Sequence, residues 1–85
     1  MKKAIRFTAN WCGPCKAYGP IFDKVLEDNK DWESIVVNVD ENSEMASRYG
    51  VRGIPMTILE IDGKIVKKDT GIISRDELEK SLSTL

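Results

Sequence analysis

The chain contains no histidine and only two cysteines, Cys12 and Cys15. A structural zinc site takes four Cys or His ligands, so one copy of this chain cannot close one, and only a zinc-bridged pair of copies could. Charge of one sign is also missing. Thirteen Lys and Arg stand against fourteen Asp and Glu, a net charge of −1 with no long run of either sign. That balance argues against nucleic acid or an anionic membrane as a partner and favours proteins met through a small neutral patch. No long apolar run is present. The start Met1-Lys2-Lys3 resembles the opening of a secretory signal, but Arg6 and Asn10 interrupt the following stretch before an apolar segment of about seven residues can form. The expected compartment is therefore the cytoplasm. Repeats, low-complexity segments and linkers are absent too. Eighty-five residues, 41% hydrophobic with two Trp, two Phe and two Tyr, supply one modest core and no second. Residues 1–85 are expected to form a single domain that acts as a monomer.

The pattern that is present alternates strand and helix. Ala4 to Ala9 reads as a buried first strand, after which Tyr18, Ile21, Phe22, Val25 and Leu26 recur at the spacing of one helix face. Pro20 falls inside that helix, leaves the Lys16 carbonyl without its usual donor and predicts a kink near Gly19-Pro20. Ser34 to Asp40 holds Ile35, Val36, Val37 and Val39 in a nearly continuous run, which suits a strand covered on both faces with a parallel neighbour. Asn42 or Ser43 can cap a short helix through Met45, Ala46 and Tyr49, ended by Gly50. Met56 to Ile61 and Lys64 to Thr70 are strands joined by Asp62-Gly63, a two-residue type I′ hairpin signal. Ser74-Arg75-Asp76-Glu77 is a capping box, Ile73 can staple onto Leu78, and Leu78, Leu82 and Leu85 continue at helical spacing. The order predicts an α/β fold: a four-stranded mixed sheet flanked by three helices.

Trp11-Cys12-Gly13-Pro14-Cys15 lies where the strand pattern gives way to the helix pattern. With the helix starting at about Cys12, free backbone N–H groups and the positive end of the helix dipole favour thiolate over thiol at that sulfur. Cys15 is one turn on, within about 5–6 Å at Cβ, so a disulfide needs only modest adjustment. A purely structural bridge is a poor reading, because so short a loop constrains the unfolded chain little. The pair reads as a thiol–disulfide redox centre, with Cys12 the attacking nucleophile and Cys15 the resolving thiol. Pro14 presets a helical φ where no N–H is needed, and Gly13 leaves the sulfur uncovered. Trp11 reads as a lid beside the pair, or otherwise as an ordinary half-buried tryptophan. Lys16 is most simply a solvated helix residue.

From about Ile5 to the final helix the sequence resembles the thioredoxin family. Trp11 to Lys16 matches that family's active site, Pro20 its helix-kinking proline, and Val39-Asp40 the end of the next strand. Tyr49-Gly50-Val51-Arg52-Gly53-Ile54-Pro55 matches the segment with the family's cis-proline, and Gly71 a glycine of the docking surface. The resemblance implies a thioredoxin-like fold and a cis Ile54-Pro55 bond against the redox pair. It places substrate docking at Trp11, Gly53, Ile54, Pro55 and Gly71, with Ile54 offering its backbone to a substrate strand. Read from its residues alone, Pro55 only marks a strand start. Four features depart from the family. The extra N-terminal strand and helix of full-length thioredoxins are missing, which brings the chain nearer the core shared with glutaredoxins. Arg6 replaces the buried acid six residues before the first cysteine, and Val36 aligns with the lysine that often pairs with it. Thr8 replaces an aromatic, and Met56 follows the proline in place of Thr. An arginine offers no acceptor and cannot act as a base; its stem can lie along the sheet with its head in water, or the head can meet a carboxylate.

The function this implies is a protein-disulfide reductase and electron carrier with no bound cofactor beyond the Cys12–Cys15 disulfide. Thioredoxin is the standard case of a first cysteine drawn towards neutrality by this setting. Its implied partners are a flavoprotein thioredoxin reductase, which supplies electrons from NADPH, and disulfide-containing proteins such as ribonucleotide reductase or a peroxiredoxin-like enzyme. Two other functions fit the chain length: a glutaredoxin-like enzyme using glutathione, opposed by Gly13-Pro14 and Arg52 to Pro55, and a non-catalytic binding subunit in which the cysteines would be dispensable.

Overall fold

A computed structural model describes residues 1–85. The elements run β1 (Lys2–Thr8), α1 (Gly13–Glu27), β2 (Trp32–Asn38), α2 (Ser43–Arg48), β3 (Met56–Ile61), β4 (Lys64–Thr70) and α3 (Arg75–Thr84). The strands form one sheet in the order β2-β1-β3-β4. Its β1–β2 pair is parallel, while β1–β3 and β3–β4 are antiparallel. The expected mixed sheet with three helices is thus the observed one.

Strand alternation divides the apolar residues between two faces. Ala4 and Leu59 face α1 and α3, where Tyr18, Phe22, Val25, Leu26, Trp32, Leu78 and Leu82 complete a buried cluster. Ile5, Phe7, Val37, Met56 and Ile58 face the other way, and Met45, Ala46 and Tyr49 pack against them from α2 and its end. Full burial of each large apolar side chain contributes about 1.5–3 kcal/mol. No helix is long and apolar enough to cross a membrane.

Local signals set the element ends. The Asn42 side chain accepts the Met45 N–H, capping α2, and Gly50 follows the helix at φ +66°. Asp62 and Gly63 have φ values of +51° and +85°, as a type I′ turn requires. Ser74 Oγ accepts the Glu77 N–H at 3.1 Å, while Ile73 and Leu78 share the α1–α3 cluster as a staple would place them.

Several expectations need correction. The first strand is Lys2–Thr8 and not Ala4–Ala9, because its ladder with β2 begins at Lys2↔Trp32 and Ala9 already accepts the Cys12 N–H in the next turn. The second strand also starts earlier, at Trp32, and it is not covered on both faces. It is an edge strand with Glu33, Ser34 and Val36 exposed, Val36 to 50%. Its parallel neighbour is real, but β-branched residues record strand propensity and not lateral position in the sheet. The last helix ends at Thr84, so Leu85 is an exposed cap and not part of the apolar stripe. Pro20 lies within α1, which continues through it to Glu27.

Candidate active site

The parallel β1–β2 pair and the start of α1 meet at one end of the sheet. After Thr8 the chain turns through Ala9, Asn10 and Trp11 and enters α1 with Cys12 as N-cap, in an extended conformation at φ −90° and ψ 106°. Cys12 Sγ accepts the Cys15 backbone N–H at 3.2 Å, so the sulfur occupies the place a Ser or Asp oxygen takes in an ordinary cap. Pro14 sits in the first helical turn, where its missing N–H costs nothing. A Cβ on Gly13 would meet nothing within 4 Å. No neighbour therefore enforces glycine there, and its bareness simply leaves the approach to the cap open.

Cys12 and Cys15 are joined as a disulfide with their Cα atoms 5.3 Å apart. Both are buried, at 5% and 2% exposure, against Ala9 and the partly buried Val39 and Ile54. The Ile54–Pro55 bond is cis. The Ile54 carbonyl oxygen lies 3.9 Å from Cys12 Sγ. In the disulfide that sulfur has no hydrogen to donate, so the approach is a contact; a reduced Cys12 thiol could donate to the same oxygen.

Trp11 is neither a half-buried tryptophan nor folded into the core. The residue is 70% exposed, and Nε1 donates to Asp40 Oδ2 at 2.8 Å. A groove of about 350 Å³ opens next to it, lined by Trp11, Val39, Ala46, Val51, Arg52, Gly53 and Ile54. Trp11, Gly53 and Ile54 thus line one groove. Pro55, next in the chain, is buried and does not line the groove. Gly71 does not line the groove; at φ +93° it donates its N–H to the Pro55 carbonyl at 2.7 Å. Gly53 has a tighter constraint than groove access: a Cβ there would lie 3.1 Å from Thr70 Cγ2. Asp40, Ala46 and Val51 were not legible as site residues; Asp40 is twenty-nine residues from Trp11 and no local spacing links them.

Arg6 is not an outward strand residue with its head in water. Residue parity puts it on the Ala4 face of β1, under α1, and its side chain is 11% exposed. The guanidinium lies over the Phe22 ring, 5.4 Å from the centroid, with Nη2 3.9 Å from Asp23 Oδ1. Nε is buried without a hydrogen-bond partner. Beside it, Tyr18 Oη and Thr57 Oγ1 form a buried hydrogen bond of 2.6 Å. Burial pushes the Tyr18 phenol above its usual range, an effect that the Thr57 bond and the Arg6 charge oppose and the Asp69 charge reinforces. On the opposite face Tyr49 donates to Glu60 Oε1 at 2.6 Å, and that bond is the main cause of its raised pKa.

A disulfide at a helix N-terminus, packed against Ile54 of a cis Ile54–Pro55 bond, has the chemistry of thiol–disulfide exchange. The family model described as Thioredoxin matches residues 2–84. The thioredoxin of Mycoplasmoides gallisepticum is 47% identical over 81 residues, covering 95% of this chain and 81% of that one. The Bacillus subtilis thioredoxin is 37% identical over 75 residues, 87% of this chain and 72% of the other. Among solved structures, a point mutant of thioredoxin from Halobacterium salinarum superposes with a TM-score of 0.92 at 35% identity, over 98% of this chain and 73% of that one. The oxidised mitochondrial thioredoxin 3 of Saccharomyces cerevisiae gives 0.90 at 33% identity, over 99% and 78%. The chain belongs to the thioredoxin family and is a thiol–disulfide oxidoreductase of the protein-disulfide reductase type.

Proposed function

We propose that Cys12 is the nucleophile and Cys15 the resolving thiol of this reductase, within one thioredoxin-like domain formed by residues 1–85. The observation that carries the assignment is the N-cap: Cys12 Sγ accepts the Cys15 N–H at the positive end of α1. That donor and the helix dipole stabilise negative charge on Cys12. Each pH unit by which they lower its pKa is about 1.4 kcal/mol of thiolate stabilisation. Cys12 thiolate attacks a substrate disulfide, forms a mixed disulfide and expels one substrate thiolate. Cys15 then attacks Cys12 Sγ, the Cys12–substrate bond breaks, and the second substrate thiolate leaves. The substrate gains two electrons and the Cys12–Cys15 disulfide is restored.

Substrates dock, on this reading, across Trp11, Gly53, Ile54, Pro55 and Gly71, the last of these holding the Pro55 carbonyl through its N–H. Val39, Ala46 and Val51 add the apolar wall that a protein segment would cover. The disulfide must be reset by an outside donor, and a flavoprotein thioredoxin reductase drawing on NADPH is the one proposed, making the chain an electron-transport protein of the cytoplasm, acting as a monomer. A peroxiredoxin-like enzyme and ribonucleotide reductase are the substrate classes proposed. One structural neighbour, 32% identical with a TM-score of 0.90, is a structure concerned with thiol resolution in a yeast mitochondrial 1-Cys peroxiredoxin through glutathione and thioredoxin systems, which supports the first class.

The test is insulin-disulfide reduction by the purified chain, driven either by thioredoxin reductase and NADPH or by glutathione, glutathione reductase and NADPH. Turnover with the first system and little with the second is expected. Turnover only with glutathione would replace this reading with a glutaredoxin-like one, and turnover with neither would leave a binding subunit.

A further inference from the structure

We propose that Arg6 is an electrostatic positioning residue for the resolving step, its buried positive charge holding Cys15 as the thiolate that attacks the mixed disulfide. The inference rests on the reading of Cys15 as the resolving thiol, and its geometry is independent of any partner. Arg6 lies beneath the inner face of α1. A Cβ on Gly19 would be 3.4 Å from Arg6 Nη1 and 3.6 Å from both Cζ and Nη2, ordinary contact distances that place the guanidinium directly against the helix at position 19. Gly19 follows Cys15 by four residues, which is one turn and about 6 Å along the same helix face. Cys15 is itself buried, at 2% exposure.

The charge is incompletely neutralised where it lies. Asp23, one turn further along α1, is its only carboxylate within 4 Å, at 3.9 Å, and is 61% exposed to water. Arg6 Nε has no partner at all. The other charged or titratable groups around the cation are the Tyr18 phenol on α1 and Asp69 on β4, which lies across from Thr57 in the β3–β4 register as Arg6 does in the β1–β3 register. Asp69 is engaged by Lys67 at 3.5 Å. Lys16, beside Cys15 in sequence, is exposed.

In the mixed disulfide Cys12 carries no charge, and besides the α1 dipole the side-chain charges against this face of the helix are those of Arg6 and Asp23. A unit charge on the order of 8 Å away at an effective dielectric near 20 lowers a thiol pKa by about one unit after partial opposition from Asp23. Cys15 loses its proton to water before attack. Its thiolate then bonds to Cys12 Sγ, the substrate sulfur departs with the electron pair and takes a proton from water. A tenfold gain in thiolate fraction is partly offset by lower nucleophilicity, with a Brønsted coefficient near 0.4–0.5, leaving about a threefold faster resolving step near neutral pH.

The experiment measures the pH dependence of Cys15 alkylation by iodoacetamide in the Cys12→Ser chain, alone and with Arg6→Met, Arg6→Lys or Asp23→Asn. Arg6→Met should raise the midpoint by about one pH unit, Arg6→Lys should restore it to within a few tenths, and Asp23→Asn should lower it. A midpoint unchanged by both Arg6→Met and Asp23→Asn would overturn the proposal. Should Arg6→Met fail to fold, the direction of the Asp23→Asn shift decides alone: down supports the cation's role and no shift refutes it. Loss of insulin reduction by the native chain would count against Cys15 as resolver and would leave this titration unaffected, so the two failures are separable.

Discussion

Tyr18→Phe should destabilise the protein more than the loss of one hydroxyl suggests, and adding Thr57→Val should recover most of that loss. Tyr18 Oη and Thr57 Oγ1 are 2.6 Å apart, and the two residues are 0% and 1% exposed. Neither hydroxyl has a water-facing alternative. Removing one partner strands the other, at a cost of about 1–3 kcal/mol, whereas removing both at nearly constant volume trades a satisfied pair for an apolar contact and is close to neutral. Each single variant is therefore expected to lose about 1–3 kcal/mol and the double variant less than about 1 kcal/mol, a coupling that adjacent residues commonly show. Urea denaturation of the oxidised protein measures this, provided the m-value stays constant across the cycle. A shift of 1 kcal/mol also moves Tm by roughly 4–8 °C in a domain of this size, which gives a second readout. Single-variant costs that simply add in the double variant would refute the reasoning.

Alkaline stability should follow the tyrosines. Burial raises Tyr18 and the Glu60 bond raises Tyr49 above the ordinary value of 10.0. The unfolded chain therefore loses these protons first, so the stability they contribute is complete below about pH 10 and falls as pH rises through the folded values. In the oxidised protein, where Cys12 and Cys15 do not titrate, replacing both tyrosines with Phe should flatten the decline above pH 10; an unchanged slope in urea midpoints would contradict it. Gly63→Ala should cost about 1–2 kcal/mol in the same denaturation assay, because an alanine at φ +85° clashes with its own backbone. Ser74→Ala should cost about 1 kcal/mol by removing the acceptor of the Glu77 N–H, and a change near zero would mean that α3 is capped by water instead.

Features built from neighbours in sequence were legible; those built across the sheet were not. Asp62-Gly63, Ser74 with Glu77, and Asn42 with Gly50 each carry their structural cause within a few residues, and each marks the end expected. The Cys12–Cys15 centre is of the same kind, since a helix start and a one-turn spacing suffice to place both sulfurs. Lateral order is different. The run from Ile35 to Val39 indicates a strand, but its position at the edge follows from which partners β1 chooses. The Asp40 bond to Trp11 and the groove wall at Ala46 and Val51 likewise need the chain folded before they exist. Arg6 lies between these cases. Ile5 and Phe7 claim one face of β1, so parity alone sends Arg6 to the face under α1, a signal that was readable in the sequence; what meets it there, the Phe22 ring and Asp23, was not.

The account's central claim is the division of labour between Cys12 and Cys15, and trapping measures it most directly. Each Cys→Ser variant, fully reduced, is mixed with a disulfide-containing protein such as insulin and examined by non-reducing electrophoresis and mass spectrometry. Cys15→Ser should accumulate a covalent mixed disulfide through Cys12 that dithiothreitol releases, while Cys12→Ser should form little adduct and show no reductase turnover. Rapid adduct formation through Cys15 in the Cys12→Ser chain, or turnover by that variant, would contradict the assignment.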